Sequence, residues 1–173
     1  RRIFFGPPRA KWIAVLLAAG FLVSLLPIFA ISIYARPALD DYFFSRLTHA
    51  AWNQTHSVAA VLRAAAATAG EVYRVWQGSY TGMFLAALQT SVFGEPLYWI
   101  GVSAQLVLFL LCSLYCFLAV FPRLGLGRWQ SASVAVLLTA ICLQLLPSAA
   151  QGFYWYCVSV CYLLMHSLSL LLA

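Results

Sequence analysis

The sequence predicts an all-α, polytopic transmembrane fold with about four spans. Three observations predict it. The 173 residues are 64% hydrophobic and 8% charged, against about 25% charged in soluble domains. Mean hydropathy is +0.91, more apolar surface than a domain of this size can hide from water. The charged side chains fall between the long apolar runs and not inside them.

The first span is expected over 12–34, an apolar run without charge and of spanning length. It is longer than a secretory core and lacks an obvious cleavage site, so it reads as an anchor. Pro27 is expected to kink it. The second span is expected over 97–121 and the fourth over 153–173. The third, over 131–150, is weaker, because Gln144 and Pro147 interrupt it. Together they make residues 1–173 a single transmembrane module. The chain opens on Arg1 and closes inside the run "SLSLLLA", which suggests the N-terminal part of a longer protein.

The loops orient these spans. Arg1, Arg2, Arg9 and Lys11 precede the first span, and Arg123 and Arg128 lie between the second and third. The "PSAAQG" connection carries no charge. The excess of basic residues then puts the N-terminus and the second loop in the cytoplasm. The loop 35–96 faces the periplasm or the exterior of a plasma membrane. Trp12, Tyr34, Tyr98, Trp99, Trp129 and "FYWY" at 153–156 mark the span ends, as interfacial aromatics do. The net charge of +6 is dispersed along the chain and gives no nucleic-acid signature.

The outer loop 35–96 is too long for a plain connection. Within "THSVAAVLRAAAATAGEVYRVWQ", apolar residues recur at 58, 61, 62, 65, 69, 72, 73 and 76. That spacing predicts an amphipathic helix, with Arg63, Glu71 and Arg74 on its other side. Ser57 or Thr55 is placed to cap it, and Glu71 is spaced to pair with Arg74. A shorter helix is expected over 41–52. "GMFLAALQTSVF" at 82–93 reads as an interfacial or re-entrant helix, too short to cross. Asn53-Gln54-Thr55 matches the glycosylation acceptor pattern, which is too short to carry a role.

The chain has four acidic residues, and two of them are adjacent in "RPALDDYFF". Asp40 and Asp41 suit the first turn of a helix, where the dipole favours acids. A carboxylate at a membrane surface can also act as a general base, or hold a divalent cation that holds a phosphate. Both readings stand on local grounds. Arg46, Arg63 and Arg74 lie in the same loop as phosphate partners.

The order of these features resembles the GT-C superfamily, integral-membrane glycosyltransferases that use polyprenyl-phosphate sugars. The resemblance rests on "LDDYFF" after the first span, "YRVWQGSYTGMFLAAL" before the second and the aromatic "QGFYWYCVSVCY" later. In particular it is similar to a bacterial branch with an aspartate pair after the first span. What the resemblance implies is transfer of a sugar from a lipid-linked phosphate donor to an acceptor on the outer face of the membrane. Asp40 and Asp41 would be catalytic, with Asp40 ahead as the base, or would hold a cation such as Mg or Mn. Arg74, Arg63, Arg46 and Tyr80 would bind substrate. Two positions depart from the branch: Ser79 replaces an arginine and Gln151 replaces an acid. Both changes remove charge and point to altered specificity or an inactive copy.

A transporter or scaffold subunit without catalysis is the alternative. Transport sites need polar groups near the bilayer midplane, and Gln105, Gln144 and His166 are the few available. His166 in the fourth span suits a hydrogen bond between helices. Glu95 is a further outer acid. The five cysteines lie in apolar runs and read as packing residues rather than a disulfide framework. No nucleotide loop, nucleophile elbow or zinc motif is present.

Overall fold

The computed structural model describes residues 7–172. Arg1 and Arg2, which contribute to the orientation argument, lie outside them. All regular structure among the described residues is helical. Helix α1 is Pro7–Ser32, α2 Asp40–Thr55, α3 Val58–Val75 and α4 Tyr80–Ala86. Two short 3-10 turns, Thr90–Phe93 and Glu95–Leu97, lead into α5, Tyr98–Arg123. Helix α6 is Arg128–Gln144. A single turn at Ala149–Gly152 precedes α7, Tyr156–Leu172, whose stretch Ser159–Leu164 is wound as a π-helix.

Two helices are long and apolar enough to cross a membrane, over Arg9–Ser32 and Glu95–Arg123. The 26 residues of α5 span about 39 Å, more than the ~30 Å hydrocarbon core. The 17 residues of α6 reach only about 26 Å. The sequence placed this third span over 131–150, but Pro147 has no amide hydrogen to continue the ladder, and α6 stops at Gln144. Pro27 sits inside α1.

Helices α1, α5, α6 and α7 pack around one core of Phe21, Leu25, Leu106, Phe109, Leu110, Leu143 and Phe153. Polar side chains pin the packing. Ser32 Oγ lies 2.9 Å from Ser103 Oγ, Gln144 Nε2 donates to Ser24 Oγ at 3.1 Å, and Tyr154 OH donates to the Ile28 carbonyl at 2.8 Å. The outward faces are bare and apolar. Leu16, Leu22, Val23 and Leu26 of α1 are each more than 60% exposed, where a soluble helix would be polar.

Lys11 stands over the Trp129 ring at 5.9 Å, which brings the starts of α1 and α6 to the same end of the bundle. Arg9, Lys11, Arg123 and Arg128 therefore gather at one end. The four acids lie in the 40–95 segment at the other.

At that acidic end, α2 and α3 form an antiparallel hairpin against α4. Ser57 Oγ accepts from the Ala60 amide at 3.4 Å, the expected cap of α3. The buried stripe is Val61, Ala65, Thr68, Ala69 and Val72. It is narrower than the apolar periodicity implied, because Val58, Leu62, Tyr73 and Trp76 stay exposed. The segment 82–93 is not one helix. It breaks after Ala86, and Thr48 Oγ1 reaches the Ala87 carbonyl at 2.8 Å from α2.

The ion pair also differs from expectation. Glu71 does not pair with Arg74 along α3. Arg46 crosses from α2 and places one terminal nitrogen 2.8 Å from both Glu71 oxygens. Arg74 instead bonds the Gly70 carbonyl of its own helix at 3.1 Å. The antiparallel hairpin brings a guanidinium across the groove, where it meets the carboxylate more directly than a neighbour on the same helix.

Candidate active site

The two aspartates divide. Both lie in the first turn of α2, after Leu39, which takes the left-handed φ of +44°. A leucine there is strained, and such strain clusters at functional sites. The turn sends Asp41 inward and leaves Asp40 exposed.

Asp41 is fully buried. Its Oδ2 accepts from the Ala38 amide at 3.1 Å and from Tyr98 OH at 2.6 Å. Its Oδ1 accepts from the Cys157 amide at 2.9 Å. Its own carbonyl accepts from Ser45 Oγ at 2.7 Å and from Gln89 Nε2. Tyr98 OH in turn accepts from the Tyr156 amide at 2.8 Å. One carboxylate thus joins the start of α2, the start of α5 and the start of α7. Burial pushes its carboxyl above the usual range, and the hydrogen bonds from Tyr98, Ala38 and Cys157 offset part of that rise.

The same network explains why α7 begins at Tyr156 and not at 153. Trp155 is held extended, with φ −100° and ψ 104°, while Tyr98 and Asp41 take the amides of Tyr156 and Cys157. Those amides would otherwise be unsatisfied at a helix start. Close approach needs a glycine on α5. A Cβ at Gly101 would lie 2.8 Å from the Tyr156 ring and 2.9 Å from Thr90 Oγ1.

Asp40 opens onto a cavity of about 520 Å³. One wall is Asp40 and Phe44 of α2, and a second is Trp76–Met83, joining α3 to α4. The third is the face of α7 with Cys157, Cys161, Tyr162 and Met165. Phe44 stacks parallel to Trp76 at 6.4 Å and floors the space between the first two walls. The hydroxyls of Ser79 and Thr81 edge the loop end, whereas the α7 end is apolar and sulfur-rich.

Comparison with known protein families, with characterised proteins and with solved structures returned no match.

The structure therefore brings Asp40 and Tyr80 to one cavity and keeps Arg46, Arg63 and Arg74 out of its lining. Arg46 lines a smaller cavity of about 320 Å³ on the far side of α2, with Tyr42, His49 and Glu95. No group of three His, Cys, Asp or Glu side chains arranged to hold a metal occurs among the described residues. Sequence reasoning missed Tyr98 and the Cys157 amide as partners of the acidic pair. Tyr98 gave a signal only as an interfacial aromatic, which many positions share. The bare turn Gln77–Ser79 drew attention only through its departure at Ser79.

Proposed function

We propose that this chain is the N-terminal module of a GT-C type membrane glycosyltransferase. It crosses the membrane four times, with α6 and α7 as the shorter spans and the N-terminus in the cytoplasm. The end with Arg9, Lys11, Arg123 and Arg128 carries no acid, whereas at the other end Arg36, Arg46, Arg63 and Arg74 stand among all four acids, and that asymmetry supports the orientation. So do the bare apolar flanks of α1, which suit lipid better than water.

The cavity beside Asp40 is the observation that carries the enzymatic reading. It is polar where the outer loop forms it and apolar where α7 descends, which fits a substrate with its head group outside and its tail in lipid. Asp40 is the general base: its carboxylate takes the proton of an acceptor hydroxyl as that oxygen attacks the sugar carbon, and the lipid phosphate leaves. Asp41 holds the turn that aims Asp40. Ser79, Thr81 and Tyr80 offer neutral hydrogen bonds to the head group in place of the arginines. A divalent cation at Asp40 would have a single carboxylate, since Asp41 is committed elsewhere.

The test is Asp40→Asn in the full-length protein. Sugar transfer to an acceptor should fall by about 100-fold or more, with insertion and thermal stability unchanged. Full transfer by this variant rejects the assignment.

One observation favours the non-catalytic alternative, a transporter or scaffold subunit. Gln105 is buried in α5 with neither amide nitrogen nor oxygen partnered, as a polar group on a transport path would be.

A further inference from the structure

The chain contains two methionines and five cysteines. Both methionines and two of the cysteines line one cavity, the one beside Asp40. Cys157, Cys161 and Met165 recur at spacing four along α7 and so share a face. Met83 approaches from α4, packed in one cluster with Cys157 and Cys161. Its thioether is oriented by Gln77 Nε2, which lies 3.8 Å from Sδ. Cys161 Sγ faces α4 at Gly82, where a Cβ would lie 3.7 Å from the sulfur, in ordinary van der Waals contact.

Core packing alone does not require sulfur at each of these places. Leucine fills such space as well, and leucine is the commonest residue of the chain. Sulfur differs from leucine in softness. Thiolate and thioether ligands select soft monovalent ions, copper(I) above all, over hard cations. The other cysteine pair provides an internal contrast. Cys112 and Cys116 have the same spacing on α5, yet neither lines the cavity and no methionine lies near them in sequence.

We propose that Cys161, Cys157 and Met83 form a site for a soft monovalent cation of the copper(I) class, with Met165 at its deeper edge. Cys161, the more accessible thiol, gives up its proton to solvent and binds as the thiolate. The Met83 thioether completes a two-coordinate site, and the Cys157 thiol keeps its proton and donates to the Cys161 thiolate. The complex is neutral, one proton is released for each ion, and the metal keeps its oxidation state. An ion held there narrows the cavity next to Asp40.

Silver(I) is the redox-inert probe. The full chain in detergent, with Cys112, Cys116 and Cys142 changed to alanine, should bind one silver ion and release one proton. X-ray absorption should show silver bonded to sulfur. Cys161→Ser in that background should weaken binding by at least about 100-fold, beyond the roughly 10–100-fold typical of outer-shell changes. Met83→Leu should weaken it measurably without altering the proton count. Equal silver binding before and after Cys161→Ser overturns the site. So does silver binding that Met83→Leu leaves untouched, because the thiol would then act alone.

Discussion

Tyr98 donates its hydroxyl to Asp41 Oδ2 at 2.6 Å, across 57 positions of sequence. Both side chains are fully buried. Removing the hydroxyl leaves the Tyr156 amide without its acceptor and Asp41 with two donors in place of three. Tyr98→Phe should therefore cost about 1–3 kcal/mol, read as a lower melting temperature of the detergent-solubilised protein. An unchanged melting temperature would show that the hydroxyl adds nothing to the packing of its ring.

Asp41 makes stability depend on pH in an unusual direction. Its carboxyl is raised from an ordinary 3.8, so the folded chain holds the proton more tightly than the unfolded chain does. The contribution is fully present below 3.8 and is lost as pH rises through the raised value. Melting temperature should fall over that window in the native chain. Asp41→Asn should be less stable overall but lack this slope, because its amide does not titrate there. Parallel curves for the two proteins would place the pH dependence elsewhere.

Gly101 is the contact point of α5 and α7. Gly101→Ala forces a methyl against the Tyr156 ring and Thr90 Oγ1. Overpacking of this kind costs about 1–3 kcal/mol. The helix preference of alanine returns at most about 1 kcal/mol, so the variant should still lose stability in a thermal melt.

Glu71 and Arg46 form the ion pair of the outer hairpin, with side chains 42% and 48% exposed. Exposed pairs contribute about 0–1 kcal/mol. Glu71→Gln should change the melting temperature little, and the difference should vanish at high salt. A large, salt-independent loss would mean that Glu71 does something other than pair.

The sequence showed most clearly what is local. The periodicity of 58–76 marks α3, and Ser57 caps it as expected, because both depend on neighbours within a turn. The spans over 12–34 and 97–121 correspond to α1 and α5, since uninterrupted apolar length needs no partner to be read. Apart from the early end of α6 before Pro147, what failed depends on contacts between distant segments. Glu71 had two arginines to choose from, and only the hairpin geometry decides for Arg46. Asp40 and Asp41 are chemically identical neighbours. Their separation into an exposed and a buried carboxylate follows from Leu39's backbone and from Tyr98 and Cys157, both far along the chain. The late start of α7 has the same origin.

The Asp41 junction has a mechanical corollary. It clamps the root of α2 to the root of α7, so the carboxylate side of the cavity and its sulfur side travel as one rigid jaw. The opposing jaw is the connection Trp76–Ser79 between α3 and α4 together with the first residues of α4, with Trp76 and Tyr80 both more than 60% exposed. Any widening that admits a bulky guest must come from that strip. The gape of the cavity is thus governed by a stretch of chain that contains neither aspartate.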